Sequence, residues 1–265
     1  MKRKFKLIIE YEGTRYHGWQ VQSNGVTVQE VLQKALQKIT KKKTSVVASG
    51  RTDAGVHAEA QTAHFTTSSR MTPHQFLKAL NSVLPHDITV RQVEEVPLEF
   101  HAQKSALRKT YRYTLLNRDY PSALAYRRCW FVPHPLNVNA MRRAKTCLLG
   151  RHDFSAFRAS NCEAKSPVKE LTQLRISREK DFIHLLFEGN AFLKHMIRNI
   201  TGTLVDVGKG RMAPGRVKEI LDSRDRNQAG PTAPPQGLCL LRVDYPDKKK
   251  KTAPASRPVR KKAQK

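Results

Sequence analysis

The first 96 residues alternate between two hydrophobic periods, and this alternation restricts the possible folds more than any other feature of the chain. Every second residue from Phe5 to Tyr11 is apolar, which predicts a half-buried strand. Residues 28–39 instead repeat apolar side chains at i, i+3, i+4 and i+7, behind Thr27 and Glu30 in capping-box spacing. This second segment therefore predicts an amphipathic helix.

The same two periods continue to residue 96. Residues 46–48 and an alternating segment around 61–65 predict two more strands, separated by a loop that contains two glycines. Thr72-Pro73 opens a second helix, since proline is well tolerated in a first helical turn. Residues 88–96 form the fourth predicted strand. The order β-α-β-β-α-β is that of a ferredoxin-like unit.

The rest of the chain nearly repeats this order without repeating its sequence. Predicted strands cover residues 106–116, 171–177, 181–188 and 237–244, and predicted helices cover 137–149, 191–207 and a short segment after Pro214. We therefore predict an α+β protein of two ferredoxin-like (RRM-like) subdomains, with mainly antiparallel sheets that flank a basic cleft. The N-terminal subdomain would span residues 1–103 and the C-terminal subdomain 104–247.

Basic residues outnumber acidic ones in both the folded body and the C-terminal tail. The 265 residues include 49 Lys and Arg against 22 Asp and Glu, a net charge of +27. Residues 248–265 hold nine of these bases and no acid, which leaves +18 on the body. The tail predicts a disordered, RNA-tethering arm. The body predicts a polyanionic partner, with nucleic acid favoured over an acidic membrane surface.

Other features of the composition exclude several classes of protein. A hydrophobic content of 39% is enough for a core and excludes a wholly disordered polycation. No run approaches the roughly 18 apolar residues of a membrane span. The four cysteines form no C-x-x-C pair, which argues against a zinc ribbon or a disulfide scaffold. We therefore expect a soluble, cytoplasmic protein with reduced cysteines.

The densest unusual segment is the loop SGRTDAGVHA at residues 49–58. Its glycines allow sharp turns and close approach to a ligand, while Arg51 offers a five-donor fork near Asp53. A carboxylate in that setting would stay ionised and could act as a nucleophile or base. An Asx-type turn with a surface arginine fits the same residues equally well.

Six segments in order resemble the TruA-type tRNA pseudouridine synthases. The similarity runs from about Phe5 to about Asp247 and leaves the basic tail outside it. The matching blocks are YEGTRYHGWQ (11–20), GRTDAGVHA (50–58), FHAQKSALRKTYRYTL (100–115), HDFSAFR (152–158), FLKHMIRNITGTL (192–204) and GPTAPPQGLCL (230–240).

The resemblance implies an isomerase that converts uridine to pseudouridine at positions 38, 39 and 40 of the tRNA anticodon stem-loop. It implies a homodimer that needs no cofactor and no catalytic metal. By the match, Asp53 is the catalytic carboxylate, which either adds covalently to the substrate or removes a ribose proton. Tyr111 would lie beside the target base, and Arg198 would pair with the aspartate. Arg51 would help to evict or replace the flipped base.

The residues themselves leave alternatives to these roles. Tyr111 and Tyr113 are alternate residues of a predicted strand and would also suit a core, whereas Arg198 lies nearly opposite the apolar stripe of its helix, facing solvent or a cleft. A non-catalytic RNA-binding or chaperone protein on the same scaffold is one alternative function. A metal-dependent nuclease that uses Asp53 with His57 and His64 is another, less favoured one.

Overall fold

The computed structural model describes residues 1–246, which contain ten strands and five α-helices. The strands are β1 (Arg3–Tyr11), β2 (Val46–Ala48), β3 (His57–Thr67), β4 (Ile88–Val96), β5 (Arg108–Leu116), β6 (Trp130–Phe131), β7 (Gly150–Asp153), β8 (Val168–Glu179), β9 (Phe182–Gly189) and β10 (Leu238–Asp244). The helices are α1 (Val28–Thr40), α2 (Pro73–Val83), α3 (Val138–Ala144), α4 (Met196–Gly208) and α5 (Arg216–Ser223). Short 3₁₀ turns cover Lys145–Leu148, Ser155–Phe157, Arg226–Gln228 and Pro235–Gly237.

All ten strands belong to one sheet, in the order β4-β1-β3-β10-β5-β9-β8-β7, with β2 paired to β3 and β6 to β5. The pairs are antiparallel except β3 with β10 and β5 with β6. This arrangement confirms the predicted α+β class and its mainly antiparallel pairing, but the strands of the two predicted subdomains form one continuous sheet and not separate ones. The subdomain boundary at residue 103 and the basic cleft stay predictions.

Strand β10 connects the two halves of the sheet. It pairs in parallel with the start of β3, where Cys239 faces His57 and Leu240 faces Ala58, and antiparallel with β5, where Leu240 faces Tyr111. The chain's last described strand therefore lies between the end of the 49–56 loop and the strand that carries Tyr111. This pairing places residues from distant parts of the sequence around one point.

The N-terminal elements form where the sequence predicts them. Thr27 caps α1 by accepting a hydrogen bond from the Glu30 backbone N–H, and Thr72 and Gln75 form a complete capping box on α2. The apolar face of β1 is buried. Its Phe5 ring lies 4.9 Å from the Phe76 ring of α2, centroid to centroid. The predicted strand and capped helices are thus present, and β1 packs against α2 in the core.

Two predicted helices have different bounds in the structure. The helix predicted over 137–149 is α3 followed by the 3₁₀ turn Lys145–Leu148, and the helix predicted over 191–207 begins only at Met196. Asn190 hydrogen-bonds to Glu170 through both its backbone and its side chain, and His195 takes a left-handed φ of 63°. The segment between them is therefore a loop. The short strands β6 and β7 were not predicted.

Three further expectations concern the chain as a whole. The four cysteines are free in the structure. Within residues 1–246, no helix has the length and apolar character that a membrane crossing requires. The basic tail, 248–265, lies outside the described residues.

Candidate active site

The block at residues 11–19 holds the loop that carries Asp53. The Tyr11 hydroxyl lies 2.8 Å from Thr52 Oγ1, and the Trp19 backbone N–H donates to the Thr52 carbonyl at 3.1 Å. On the other side of Asp53, the Gly55 N–H donates to the Tyr16 carbonyl at 3.2 Å. Hydrogen bonds thus fix the loop immediately before and after the carboxylate.

Gly18 is required for this close approach. Its φ is +84°, a conformation that side-chain-bearing residues rarely adopt, and a Cβ placed there would lie 2.5 Å from the Thr52 carbonyl oxygen. The contact is with backbone, so no side chain could move aside to relieve it. The two loops therefore lie closer together than any residue other than glycine permits.

Two polar side chains hold the start of the loop. Gln61 Nε2 donates to the Gly50 carbonyl at 2.9 Å, and its Oε1 accepts from Ser49 Oγ at 2.7 Å. Lys109 Nζ donates to the Ser49 carbonyl at 2.8 Å, and burial lowers the pKa of Lys109 to about 8. The loop is thus anchored to β3 through Gln61 and to β5 through Lys109.

Asp53 forms an ion pair with Arg198 at the centre of the site. Arg198 Nη1 lies 3.0 Å from Asp53 Oδ2, and Arg198 Nε donates to the Ala233 carbonyl at 2.7 Å. The side chains are 21% exposed for Asp53 and 12% for Arg198. The pair is therefore largely shielded from water, while Asp53 remains accessible to a ligand.

His195 is a second neighbour of Asp53 that was not predicted from the sequence. Its Nε2 lies 3.6 Å from Asp53 Oδ2, just before the first turn of α4. Burial lowers the pKa of His195 although Asp53 opposes this effect. The signal that could have found it is the i, i+3 spacing with Arg198, which places both side chains on one side of a helix start.

The two tyrosines of β5 have different environments. The Tyr113 hydroxyl donates to the Pro234 carbonyl at 2.6 Å in the core. Tyr111 is 7% exposed, and its ring meets the Phe192 ring edge-to-face at 5.2 Å. Burial, with a smaller contribution from the Asp53 charge, raises the pKa of Tyr111. Its neutral ring therefore lies within electrostatic reach of the carboxylate.

Arg51 lies on the outside of the same loop. Its Nη1 lies 2.8 Å from Glu163 Oε2, and both side chains are highly exposed. The guanidinium next to Asp53 is thus that of Arg198, which comes from a distant helix, and not that of Arg51, two residues away in the sequence.

His57 and His64 are each occupied by a backbone contact. His57 Nδ1 accepts from the Gly13 N–H at 2.9 Å, and His64 Nδ1 accepts from the Ala102 N–H at 3.1 Å. Burial lowers the pKa of both rings, that of His64 to about 4. Over the described range 1–246, no three His, Cys, Asp or Glu side chains are grouped so that they could hold a metal ion.

A protein-family profile matches two long stretches of this chain. The profile of the family described as "tRNA pseudouridine synthase" matches residues 7–103 and 144–246. These stretches contain Asp53, His195 and Arg198, whereas Tyr111 lies between them. The class of protein is therefore that of the pseudouridine synthases.

Similar proteins extend the match through the intervening segment. A tRNA pseudouridine synthase A of Geobacter sp. (strain M21) is 50% identical over 246 residues, which cover 92% of this chain and all of the relative. Proteins of the same name from Thermoanaerobacter sp. (strain X514) and Myxococcus xanthus are 46% and 48% identical, again over 92% of this chain and over 100% and 92% of the relatives. The chain belongs to the tRNA pseudouridine synthase family.

Proposed function

We propose that this protein isomerises uridine to pseudouridine at positions 38, 39 and 40 of the tRNA anticodon stem and loop, with Asp53 as the catalytic carboxylate. One observation carries the assignment of Asp53. Its carboxylate is ion-paired with Arg198 at 3.0 Å and yet 21% exposed. The cation orients the carboxylate, and the exposure leaves an oxygen available to substrate.

The reaction replaces the C–N bond between ribose and uracil with a C–C bond. The bond from ribose C1′ to uracil N1 breaks, the base turns within the site, and C1′ bonds to C5. The C5 proton is lost and N1 gains one, so the reaction is balanced without a redox partner or cofactor. Asp53 acts either by covalent addition or by removing a ribose proton. Both roles require an ionised carboxylate, which Arg198 stabilises and orients.

Tyr111 and Arg51 have the surroundings that their proposed roles require. The Tyr111 ring is held against Phe192 and stays neutral, so it suits contact with a flipped uracil and exclusion of water. Arg51 is 64% exposed, and its partner Glu163 is exposed as well, so its side chain is free to enter the space left by an extruded base. Extrusion costs a few kcal/mol, which such an insertion would partly offset.

The positive body suits capture of tRNA by its backbone. A net charge of +18 outside the tail favours release of counterions from phosphates. We further propose a cytoplasmic homodimer, in which one tRNA would contact both subunits. Light scattering after size-exclusion chromatography measures the subunit number directly, and a mass of one chain would exclude the dimer.

The test of the function compares wild type with Asp53→Asn on unmodified tRNA. Pseudouridine is mapped at positions 38 to 40, and tRNA affinity is measured in parallel. We expect modification by wild type and a loss of at least about 10³-fold in the variant, with affinity retained. Asp119→Asn is the matched control, since Asp119 is exposed and distant in sequence from the loop. Binding without modification by wild type would instead indicate a non-catalytic RNA-binding protein.

A further inference from the structure

Arg226 is a partly buried cation beside the site whose contacts are all with neutral groups. Its Nη2 lies 3.3 Å from Asn199 Oδ1 and 3.1 Å from Thr232 Oγ1, and its Nη1 lies 3.3 Å from the Ala229 carbonyl. Three acceptors thus fix the plane of the guanidinium. No carboxylate of residues 1–246 forms an ion pair with it, and burial lowers its pKa without an opposing anion.

Arg226 is held by the same two segments that hold Arg198. Asn199 follows Arg198 in α4, and its backbone N–H donates to the His195 carbonyl at 2.8 Å. Thr232 precedes Ala233, whose carbonyl accepts from Arg198 Nε at 2.7 Å. The charge of Arg226 also contributes to the lowered pKa of His195, the neighbour of Asp53. Arg226 therefore belongs to the surroundings of the catalytic carboxylate.

The hydrogen bonds of Arg226 leave two of its N–H groups free. A guanidinium has five N–H groups, and three of them are used, which leaves Nε–H and one N–H of Nη1 without an acceptor among the described residues. These two N–H groups point in different directions, and either can donate a charge-assisted hydrogen bond to one oxygen of a phosphate. Arg224, two residues earlier, differs because it is 68% exposed and lies 3.4 Å from Asp153 Oδ2.

We propose that Arg226 binds a backbone phosphate of the RNA next to the target uridine and thereby holds the ribose of that nucleotide over Asp53. The inference rests on the proposed function, because the missing counter-ion is identified as the anion that an RNA substrate supplies. Even partial burial of a cation without a counter-ion is unfavourable, and a phosphate arriving with the substrate would supply that counter-ion.

The first test measures tRNA affinity against KCl concentration for wild type, Arg226→Gln, Arg226→Lys and Arg224→Gln. One lost phosphate contact should lower the slope of log affinity against log salt by about 1. We expect this change in Arg226→Gln and a retained slope in Arg226→Lys. Arg224→Gln should keep a slope closer to that of wild type, since its charge is already paired. An unchanged slope in Arg226→Gln would overturn the proposal.

The second test locates the phosphate. A series of ligated tRNAs each carries a neutral methylphosphonate at one linkage near the target uridine. The nucleotide before that linkage is 2′-deoxy, which keeps the methylphosphonate stable. The reference tRNA has the same 2′-deoxy nucleotide and an ordinary phosphate. The methylphosphonate at one particular linkage should weaken tRNA binding by wild type about 10-fold and leave tRNA binding by Arg226→Gln unchanged. If the affinity losses from Arg226→Gln and from the methylphosphonate multiply at every linkage, the side chain and the phosphates act independently. Arg226 would then only hold its loop against α4, and the proposed contact would be refuted.

Folding and the underlying activity have separate readouts. Thermal unfolding checks each variant. If Arg226→Gln does not fold, Arg226→Lys with the methylphosphonate series still tests the contact, since lysine keeps the charge and should lose affinity at the same single linkage as wild type. Pseudouridine formation by wild type is measured in the same preparation. If wild type forms no pseudouridine, the proposed function is refuted. If wild type forms pseudouridine but Arg226→Gln keeps the wild-type salt slope and the loss of affinity at the same linkage, only this inference is refuted.

Discussion

Two ion pairs on one loop differ in burial rather than in distance. Asp53 lies 3.0 Å from Arg198, and Arg51, two residues earlier, lies 2.8 Å from Glu163. The inner pair is 21% and 12% exposed, whereas the outer pair is 64% and 78% exposed. Coulomb attraction is several times stronger where water is excluded, so only the inner pair should fix its partners in place. The outer pair is held more weakly, as the proposed role of Arg51 requires.

The largest effect should follow from removing the inner cation. Arg198→Gln leaves a largely buried carboxylate unpaired, so we expect the free energy of unfolding to fall by about 1–3 kcal/mol. We expect pseudouridine formation to fall by roughly 10²-fold or more because Asp53 loses its orientation. Urea unfolding and single-turnover assays measure the two. Arg51→Gln is the matched control on the outer pair. Equal losses of stability in the two variants would contradict the comparison.

The second effect concerns the rigidity of the inner side of the loop. In Gly18→Ala the new Cβ would meet the Thr52 carbonyl at 2.5 Å with φ at +84°, so we expect a loss of about 1–3 kcal/mol in unfolding free energy. Activity should fall with it because Thr52 precedes Asp53. Gly215→Ala should change stability by less than about 0.5 kcal/mol, since its Cβ would meet nothing within 4 Å. Similar losses in the two variants would refute the role of the close contact.

The sequence predicted the elements better than the site because the elements depend on local patterns. Alternation in β1 and the caps at Thr27 and Thr72 are encoded within a few residues. The start of α4 is not, because it depends on the pairing of Asn190 with Glu170 across the sheet. Local pattern alone left the loop around Asp53 open to an Asx-type turn, and it is the family resemblance that proposes Asp53 as the catalytic carboxylate.

The partners of Asp53 and Arg51 are distant in sequence. His195 reaches Asp53 only because β10 brings the two halves of the sheet together, and Glu163 reaches Arg51 from a loop more than a hundred residues away. The sequence of the loop alone therefore predicts neither contact. The resemblance of whole blocks identified Arg198, whereas helical spacing indicated only that it avoids the core.

A smaller effect concerns pH and His195. Burial lowers the pKa of this ring below 6.5, so it is neutral at pH 7 and takes up a proton only in more acidic solution. The charges that act on it are those of Asp53, Arg198, Lys194 and Arg226. Because the unfolded chain binds this proton more readily, its contribution to stability is complete above pH 6.5 and is lost as the pH falls.

The protonated ring would be a second cation 3.6 Å from Asp53 and would make the carboxylate less reactive. We therefore expect the single-turnover rate to be level above pH 6.5 and to fall as the pH is lowered further. His195→Gln should reduce this fall, whereas His74→Gln, at an exposed position of α2, should retain it. Identical pH profiles for His195→Gln and wild type would exclude the ring as the titrating group.

The smallest effect should come from the outer pair itself. Glu163→Gln removes an exposed partner, so the unfolding free energy should change by less than about 0.5 kcal/mol, and less still at high salt. Glu99→Gln is the matched control, because Glu99 is exposed and forms no ion pair within residues 1–246. Since both substitutions remove one negative charge, their difference isolates the contact with Arg51. If Glu163→Gln cost as much stability as Arg198→Gln, burial would not be what separates the two pairs, and Arg51 would be too firmly held to enter the space of a flipped base.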